Sequence, residues 1–441
     1  MSRTKNLNIE YYIKEFMSID PPQSQLERGI IMKKFIIFLI FIECSILILI
    51  HPVLANNNNK ILTIGFLGDV SGPLGFWNAP RIVGIKDAIE YINSNYGGIG
   101  KRKVKLEWRD HKSNAGLAKK YYKELLIKSD NILLTCGTGE QQLLKPLYEK
   151  DKAKIIFTCS TSPGVIYPTG HVFGGAPYYS DQFGVFIDWI LEDWKNKKLK
   201  GKPKIAFMTY SSGYGRACIT KETIEYAKQK DVEVVDTVYI PFVTIDPLTP
   251  LLRVKNAGAD WIFGQWLWQT VPPYLIANKQ HKLGLRFCVN SFGVDQVMIT
   301  NAKDAAEGLI GISSWAQSIE KSWGNDLARK TIIEKKRRYE DQGSSYYWGW
   351  LNMWFARRAF EETLNKMGSW DKVTTKEIML TLESWQNINI AGMGKFHFTS
   401  ILRAPLIMRV IQVQNGEWVP VTEWINGKNL APKEWLKPCH D

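Results

Sequence analysis

The stretch from Ile61 to Asn93, ILTIGFLGDVSGPLGFWNAPRIVGIKDAIEYIN, carries the reading on which the fold turns. Its opening, Ile61 to Leu67, is a run of β-branched and large apolar residues broken only by Thr63 and Gly65, the signature of a strand buried on both faces. Gly68 to Pro73 is a Gly/Pro loop. From about Pro80 to Asn93 the apolar residues fall at Ile82, Ile85, Ile89 and Ile92, a helical period. Strand, loop and helix in this order begin a βαβ unit.

The alternation continues outward. Val104 to Trp108 is a strand, Ala115 to Lys128 a helix, and Ile132 to Cys136 a strand ending in Gly137-Thr138-Gly139. Gln141 to Lys150 is helical, and Lys154 to Cys159 is a strand ending in Ser160-Thr161-Ser162. Near Gly174 to Ser180 the pattern restarts. Helices are expected over 182–194, 219–230, 249–257 and 271–280, and strands over 204–209, 232–239, 261–263 and 287–290. A long helix, Trp348 to Lys366, and a hairpin-like end, Lys395 to Val421, close the chain. The class is α/β, with two parallel-sheet lobes in succession.

Open parallel sheets bind ligands outside the carboxyl ends of their strands. Six loops therefore matter. They are Asp69 to Trp77, Gly137 to Gly139, Ser160-Thr161, Tyr210 to Gly215, Gln265 to Trp268 and Asn290 to Phe292. Hydroxyls, glycines and large aromatics fill them. Two such rims facing one another make a cleft that closes on a small molecule.

The chain has 441 residues, 57 Lys and Arg against 43 Asp and Glu, and a formal charge of +14. Hydrophobic residues at 45% exclude a disordered chain, and the charged share of 23% excludes a multi-span membrane protein. The basic excess raises a nucleic-acid partner, which the distribution argues against. Basic residues are dispersed in pairs and triplets, as in Lys101 to Lys105, Lys195 to Lys204 and Lys335 to Arg338, with acids interleaved. A solvated basic surface near an anionic membrane is the simpler expectation.

Residues 32–55, MKKFIIFLIFIECSILILIHPVLA, read as a signal peptide. Met32-Lys33-Lys34 is its basic start, Phe35 to Ile50 its apolar run, and Val53-Leu54-Ala55 its cleavage site. Residues 1–31 are then an upstream extension or a mis-called start. An uncleaved anchor is the alternative, but the run is short for a span of about 20 residues and contains Glu43.

Catalytic signatures are missing. There is no GxxxxGK[ST], no GxGxxG after the first strand, no CxxC, no HExxH and no GxSxG, and the six histidines are scattered. His111 reads as a polar loop residue. No cofactor or metal is implied.

Several motifs, in order, resemble the periplasmic leucine/isoleucine/valine-binding proteins, the type I substrate-binding proteins of ABC transporters. They are Ile64-Gly65-Phe66, Ser71-Gly72-Pro73, Gly84 to Ala88, Gly97 to Gly100, Leu147-Tyr148-Glu149, Ser160-Thr161, Tyr214-Gly215, Ala305 to Gly308 and Tyr346 to Ala356. The likeness runs over nearly all of 60–425. It implies two Rossmann-like lobes joined by a three-crossing hinge, the type I periplasmic binding fold. The N-terminal lobe would be 60–176 plus 314–394, the C-terminal lobe 177–313 plus 395–425, and 426–441 a tail.

The resemblance also places a site. Thr138, Gly139 and the Ser160-Thr161 pair fall where the first lobe grips a ligand carboxylate with hydroxyls and backbone N–H groups, which suits an anion at helix N-termini. Trp77 matches the aromatic covering the ligand side chain, and Tyr214 and Trp266 match aromatics of the second lobe. Ser291 falls where the family's amino-acid binders place a carboxylate against the ligand ammonium. Asp295 is the nearest substitute. The resemblance implies a branched-chain amino acid, but a buried ammonium without a carboxylate is costly, so an amide, a urea-like compound or an organic acid is expected at least as well. The family's first-lobe disulfide is not matched, because Lys112 stands at the partner position of Cys136. Cys136 and Cys159 end neighbouring strands and could bond to one another; two buried free thiols are the expectation.

The resemblance therefore implies an exported, monomeric, non-enzymatic receptor in the periplasm, delivering its ligand to the permease subunits of an inner-membrane ABC transporter. A ligand-sensing regulator module of the same fold is the alternative.

Overall fold

The computed structural model describes residues 60–338 and 342–432. The expected signal peptide and the extension before it lie outside the described residues. The remainder forms one compact unit from Ile61 onward. No described helix is long and apolar enough to cross a membrane.

The first sheet contains β1 (Leu62–Gly68), β2 (Val104–Asp110), β3 (Ile132–Thr135), β4 (Ile155–Thr158) and β5 (Val172–Gly174), all parallel, in the order β2-β1-β3-β4-β5. Every residue of β1, β3 and β4 is buried. That is why these strands read as unbroken apolar runs: helices cover both faces. The connecting helices are α1 (Gly75–Tyr96), α2 (Ala115–Lys128), α3 (Thr138–Asp151) and the single turn α4 (Pro163–Ile166). The Asn114 side chain caps α2 by accepting from Leu117 N, and Gly97 ends α1 in the left-handed region.

Next comes α5 (Tyr179–Asn196), which leads into a second sheet. Its strands are β6 (Lys204–Tyr210), β7 (Glu233–Ile240), β8 (Trp261–Gln265), β9 (Arg286–Val289) and β10 (Ile310–Ser313). They are interspersed with α6 (Gly213–Arg216), α7 (Lys221–Gln229), α8 (Leu248–Asn256), α9 (Val271–Gln280) and α10 (Gln296–Ala302). The chain then returns to the first lobe. There α11 (Trp323–Glu334), α12 (Ser344–Met367) and α13 (Thr375–Glu383) pack, followed by the small hairpin β11 (Ile388–Ile390) and β12 (Gly394–Phe396). Phe355 of α12 stacks on Phe157 of β4 at 3.7 Å between ring centroids. Where α12 crosses α1, Gly84 and Gly349 face the partner helix backbone, at Tyr346 and Arg81 respectively, with no room for a Cβ.

A third crossing brings β13 (Ile407–Gln414), β14 (Glu417–Pro420) and β15 (Ile425–Asn426) to the second sheet, antiparallel, giving the order β14-β13-β10-β9-β8-β6-β7 with β15 paired to β13. The two sheets and three crossings are those of the type I periplasmic binding fold. Residues 426–432 still pack against the body: Leu430 N donates to Asp181 of α5 at 2.8 Å, and Ala431 is buried.

Strand order reverses at β1 in the first sheet, between β2 and β3, and at β6 in the second, between β7 and β8. Ligand crevices form at such switch points.

Candidate functional site

A cavity of about 290 Å³ lies at the carboxyl ends of the strands and draws its walls from both lobes. Pro73, Leu74 and Trp77 come from the region after β1, Ser113 from that after β2, Cys136 to Glu140 from that after β3, and Cys159-Ser160 from that after β4. The second lobe gives Tyr210 at the end of β6 and Ser212 to Tyr214 after it, Phe242 after β7, Leu267 after β8 and Phe292 after β9. Tyr179, the first residue of α5, closes the hinge side.

Asp69 shapes the first loop. Its carboxylate accepts from Gly72 N (2.6 Å), Leu74 N (2.9 Å) and Ser113 Oγ (2.6 Å), while its carbonyl accepts from Asn78 Nδ2. These bonds start α1 at Gly75, five residues before the expected Pro80. Trp77 therefore stands in the first helical turn, only 2% exposed, edge-on to Phe292 at 5.3 Å.

The hydroxyl wall is built by adjacent strand ends. Thr138 is the first residue of α3 and Ser160 Oγ accepts from Gly137 N at 3.0 Å. Gly139 is exposed on the cavity side of that helix start. Cys136 and Cys159 form a disulfide in the wall, which corrects the expectation of two free thiols. Neighbouring parallel strands in register, with Thr135 beside Thr158, bring the following residues into bonding range.

Aromatic rings make the rest. Tyr179 sits 5.2 Å from Tyr214 and 6.1 Å from Phe292, and Tyr210 lies 5.5 Å from Phe242. Burial pushes the Tyr179 phenol up to about 12, against hydrogen bonding to Thr161, Thr138 and Ser160. Burial raises the Tyr214 phenol as well; its hydroxyl donates to Trp266 O (2.9 Å) and accepts from Asn290 Nδ2 (2.7 Å). Across the mouth, Phe76 of α1 touches Phe242 (6.3 Å) and Trp268 (5.7 Å) of the second lobe.

Five of the eight residues singled out in the sequence, Trp77, Thr138, Gly139, Ser160 and Tyr214, line this cavity. Three do not. Thr161 points away, its Oγ1 donating to Pro177 O at 2.8 Å. The indole of Trp266 shares the sheet face of Ile262, and stacks on Tyr274 at 5.1 Å inside the second lobe's core. Ser291 is wholly buried, its N–H donating to Gln182 Oε1 at 2.8 Å, and the next residue, Phe292, takes the place on the wall. Asp295 does not substitute: it is buried, and accepts from Val297 N and Ser344 N. His111 lies in the loop directly after β2, as expected for a polar loop residue. It is fully buried, with Nδ1 accepting from Ser113 N.

Tyr179, Phe242 and Glu140 join the wall without being singled out by the sequence, and Tyr210 joins it from a loop the sequence marked. Phe242 follows a strand, so the strand-end rule reaches it. Among the described residues no group of His, Cys, Asp or Glu is arranged to hold a metal.

The family model described as periplasmic binding protein matches residues 61–417. No curated protein matches the sequence. Solved structures with the same fold include a branched-chain amino acid ABC transporter protein from Thermus thermophilus with bound valine, at 20% identity and a TM-score of 0.75, covering 84% of this chain and 98% of that one. A fatty acid ABC transporter substrate-binding protein from Thermomonospora curvata is similar at 16% identity and a TM-score of 0.70, covering 86% and 95%. A solute-binding protein of an ABC transporter from R. palustris in complex with 4-hydroxybenzoate matches at 17% identity and a TM-score of 0.67, covering 85% and 98%.

Proposed function

The chain belongs to the periplasmic binding protein family, and on that premise we propose that it is the extracytoplasmic solute-binding component of an ABC transporter. It captures a small polar ligand, a branched-chain amino acid or a related amide, urea or organic acid, between two closing lobes. The lobes are residues 60–176 with 314–394 and residues 177–313 with 395–425. The observation that carries this reading is the two-lobed cavity: hydroxyls of one lobe face aromatic rings of the other, and Phe76 spans the mouth.

Trp77, Thr138, Gly139, Ser160 and Tyr214 contact the ligand. Thr138 and Ser160 stand beside the amino end of α3, a 14-residue helix whose first N–H groups suit a ligand oxygen. The aromatic rings exclude water from its apolar part. Closure is then an equilibrium that the ligand shifts by touching both lobes. Only the closed form presents the surface that the permease reads. Export over residues 32–55 brings the protein, as a monomer, to the periplasmic face. The dispersed basic surface serves that setting and not nucleic acid.

A thermal-shift screen of the mature protein against amino acids, amides, ureas and organic acids tests the reading. A ligand present at 100 times its dissociation constant adds about 2.7 kcal/mol of stability. Turnover of the stabilising compound, in place of simple binding, would overturn it.

A further inference from the structure

Among the cavity-lining residues, one alone is a carboxylic acid and none is a Lys, Arg or His: the acid is Glu140. In a chain with a formal charge of +14 this is a pronounced local inversion. Glu140 belongs to the first turn of α3, and its side chain folds back over Gly137, with Oε2 2.5 Å from where a side chain at 137 would begin. Gly137, at φ 115°, is the residue that leaves this space open.

The neighbouring acids are occupied. Asp69 accepts from two backbone N–H groups and Ser113, and Asp110 accepts from Val70 N, Lys112 N and Ser71 Oγ. Glu140 makes no hydrogen bond or ion pair among the described residues. Buried His111 lies within the field of all three carboxylates, yet desolvation drives its imidazole toward the neutral form, so it does not cancel them. The remaining wall offers ring faces. Tyr179 and Tyr214 stand at an interplanar angle of 89°, with Phe292 at 6.1 and 6.4 Å from them. Aromatic faces attract cations through the ring quadrupole. A ligand whose only charge is negative would meet Glu140 with no base on the wall to offset it. A cationic nitrogen would meet both a counter-charge and the rings.

Resting on the solute-binding reading above, we propose that the ligand carries a cationic nitrogen, an ammonium or methylated ammonium, and that Glu140 of the first lobe is its counter-charge. An acid on the first lobe thus takes the part for which position 291 of the second lobe offers only a buried serine. In a zwitterion, the carboxylate is left to the hydroxyls and N–H groups at the start of α3.

Calorimetric titration of the mature protein with matched pairs tests this. The pairs are leucine against 4-methylpentanoate and phenylalanine against 3-phenylpropanoate, with phenethylamine and 4-hydroxybenzoate as purely cationic and purely anionic probes. The expected result is that at least one nitrogen-bearing probe binds, at least tenfold tighter than its deaminated partner. E140Q then weakens that probe at least tenfold and leaves the partner within twofold. A merely helix-stabilising Glu140 would lower the melting temperature without splitting the pairs. If 4-hydroxybenzoate or a deaminated acid binds as tightly as the nitrogen-bearing probes, or E140Q is indifferent, the charge assignment is overturned while the receptor reading stands. If neither these probes nor any compound of the wider screen binds, both fall.

Discussion

Phe76 is where closure can be weakened without touching the cavity floor. Its ring projects from the first turn of α1 and meets two rings of the other lobe, Phe242 at 6.3 Å and Trp268 at 5.7 Å. Both contacts exist only when the lobes are together. Aromatic pairs contribute about 0.5–1.5 kcal/mol each beyond their buried area, so Phe76→Ala removes about 1–3 kcal/mol from the closed form. That lowers the closed-to-open ratio, and with it the apparent affinity, roughly 5- to 150-fold. The assay is calorimetric titration with whichever compound the screen identifies, paired with small-angle scattering of the free and bound protein. The variant is expected to bind more weakly, mainly through faster release, and to need more ligand to reach the compact state. Its unliganded melting transition should stay near that of the parent, because Phe76 is only partly buried and packs against the edge of the core without being a member of it. An affinity within twofold of the parent would refute the clasp, and so would a weakened affinity matched by an equal loss of stability without ligand.

Three further outcomes are expected. Replacing both Cys136 and Cys159 by serine opens a loop of sequence separation 23 and should cost about 3.5 kcal/mol on the chain-entropy account, read as a lower midpoint in urea; an unchanged midpoint would refute it. Asp181, wholly buried on α5, is pushed up to about 8, chiefly by desolvation. A carboxyl raised in the folded state leaves the native form holding the extra proton between about pH 4 and 8, so this group's contribution falls as pH rises through that window. Asp181→Asn keeps an acceptor for Leu430 N and should flatten that slope, by on the order of a few kcal/mol across the window; parallel curves for variant and parent would refute the assignment. Finally, Thr138→Val should weaken ligand binding roughly tenfold, since it removes a hydroxyl from the wall, whereas Ser291→Ala should leave affinity within twofold; the reverse order would mean that the cavity is not the binding site.

The architecture is legible in the sequence wherever periodicity is unambiguous. Ile61 to Leu67 can be little else than a strand covered on both faces, and β1 is buried along its whole length. Thr138 and Ser160 are reached by a topological rule, that ligands gather beyond strand ends, which needs no side-chain detail. The differences at the site are mostly shifts of a single residue. Ser160 faces the cavity and Thr161 the hinge; Phe292 faces it and Ser291 is buried. In extended chain a shift of one reverses the side, and nothing in a loop's composition fixes that phase. Trp266 departs for the same reason, because Ile262, Gly264 and Trp266 share one face of β8 and its continuation. Tyr179 escapes the pattern because α5 begins three residues before the apolar period suggests, at Tyr179 instead of Gln182. Glu140 reads as an ordinary first-turn acid, and only its place as the one unpaired carboxylate of the cavity wall sets it apart.

The contact between Gly84 and Gly349 has a consequence for the order in which the protein can be made. The helices that meet there are separated by about 265 residues of chain, and the entire second sheet up to β10 lies between them. At roughly 5–20 residues per second of synthesis, the apolar face of α1 waits some ten seconds to a minute for α12 to arrive. The first lobe is therefore not an autonomous early folding unit, and a nascent chain stopped near residue 340 would carry an uncovered sheet. Any secretion or chaperone machinery that handles this chain must hold that face open until nearly four-fifths of the sequence has appeared.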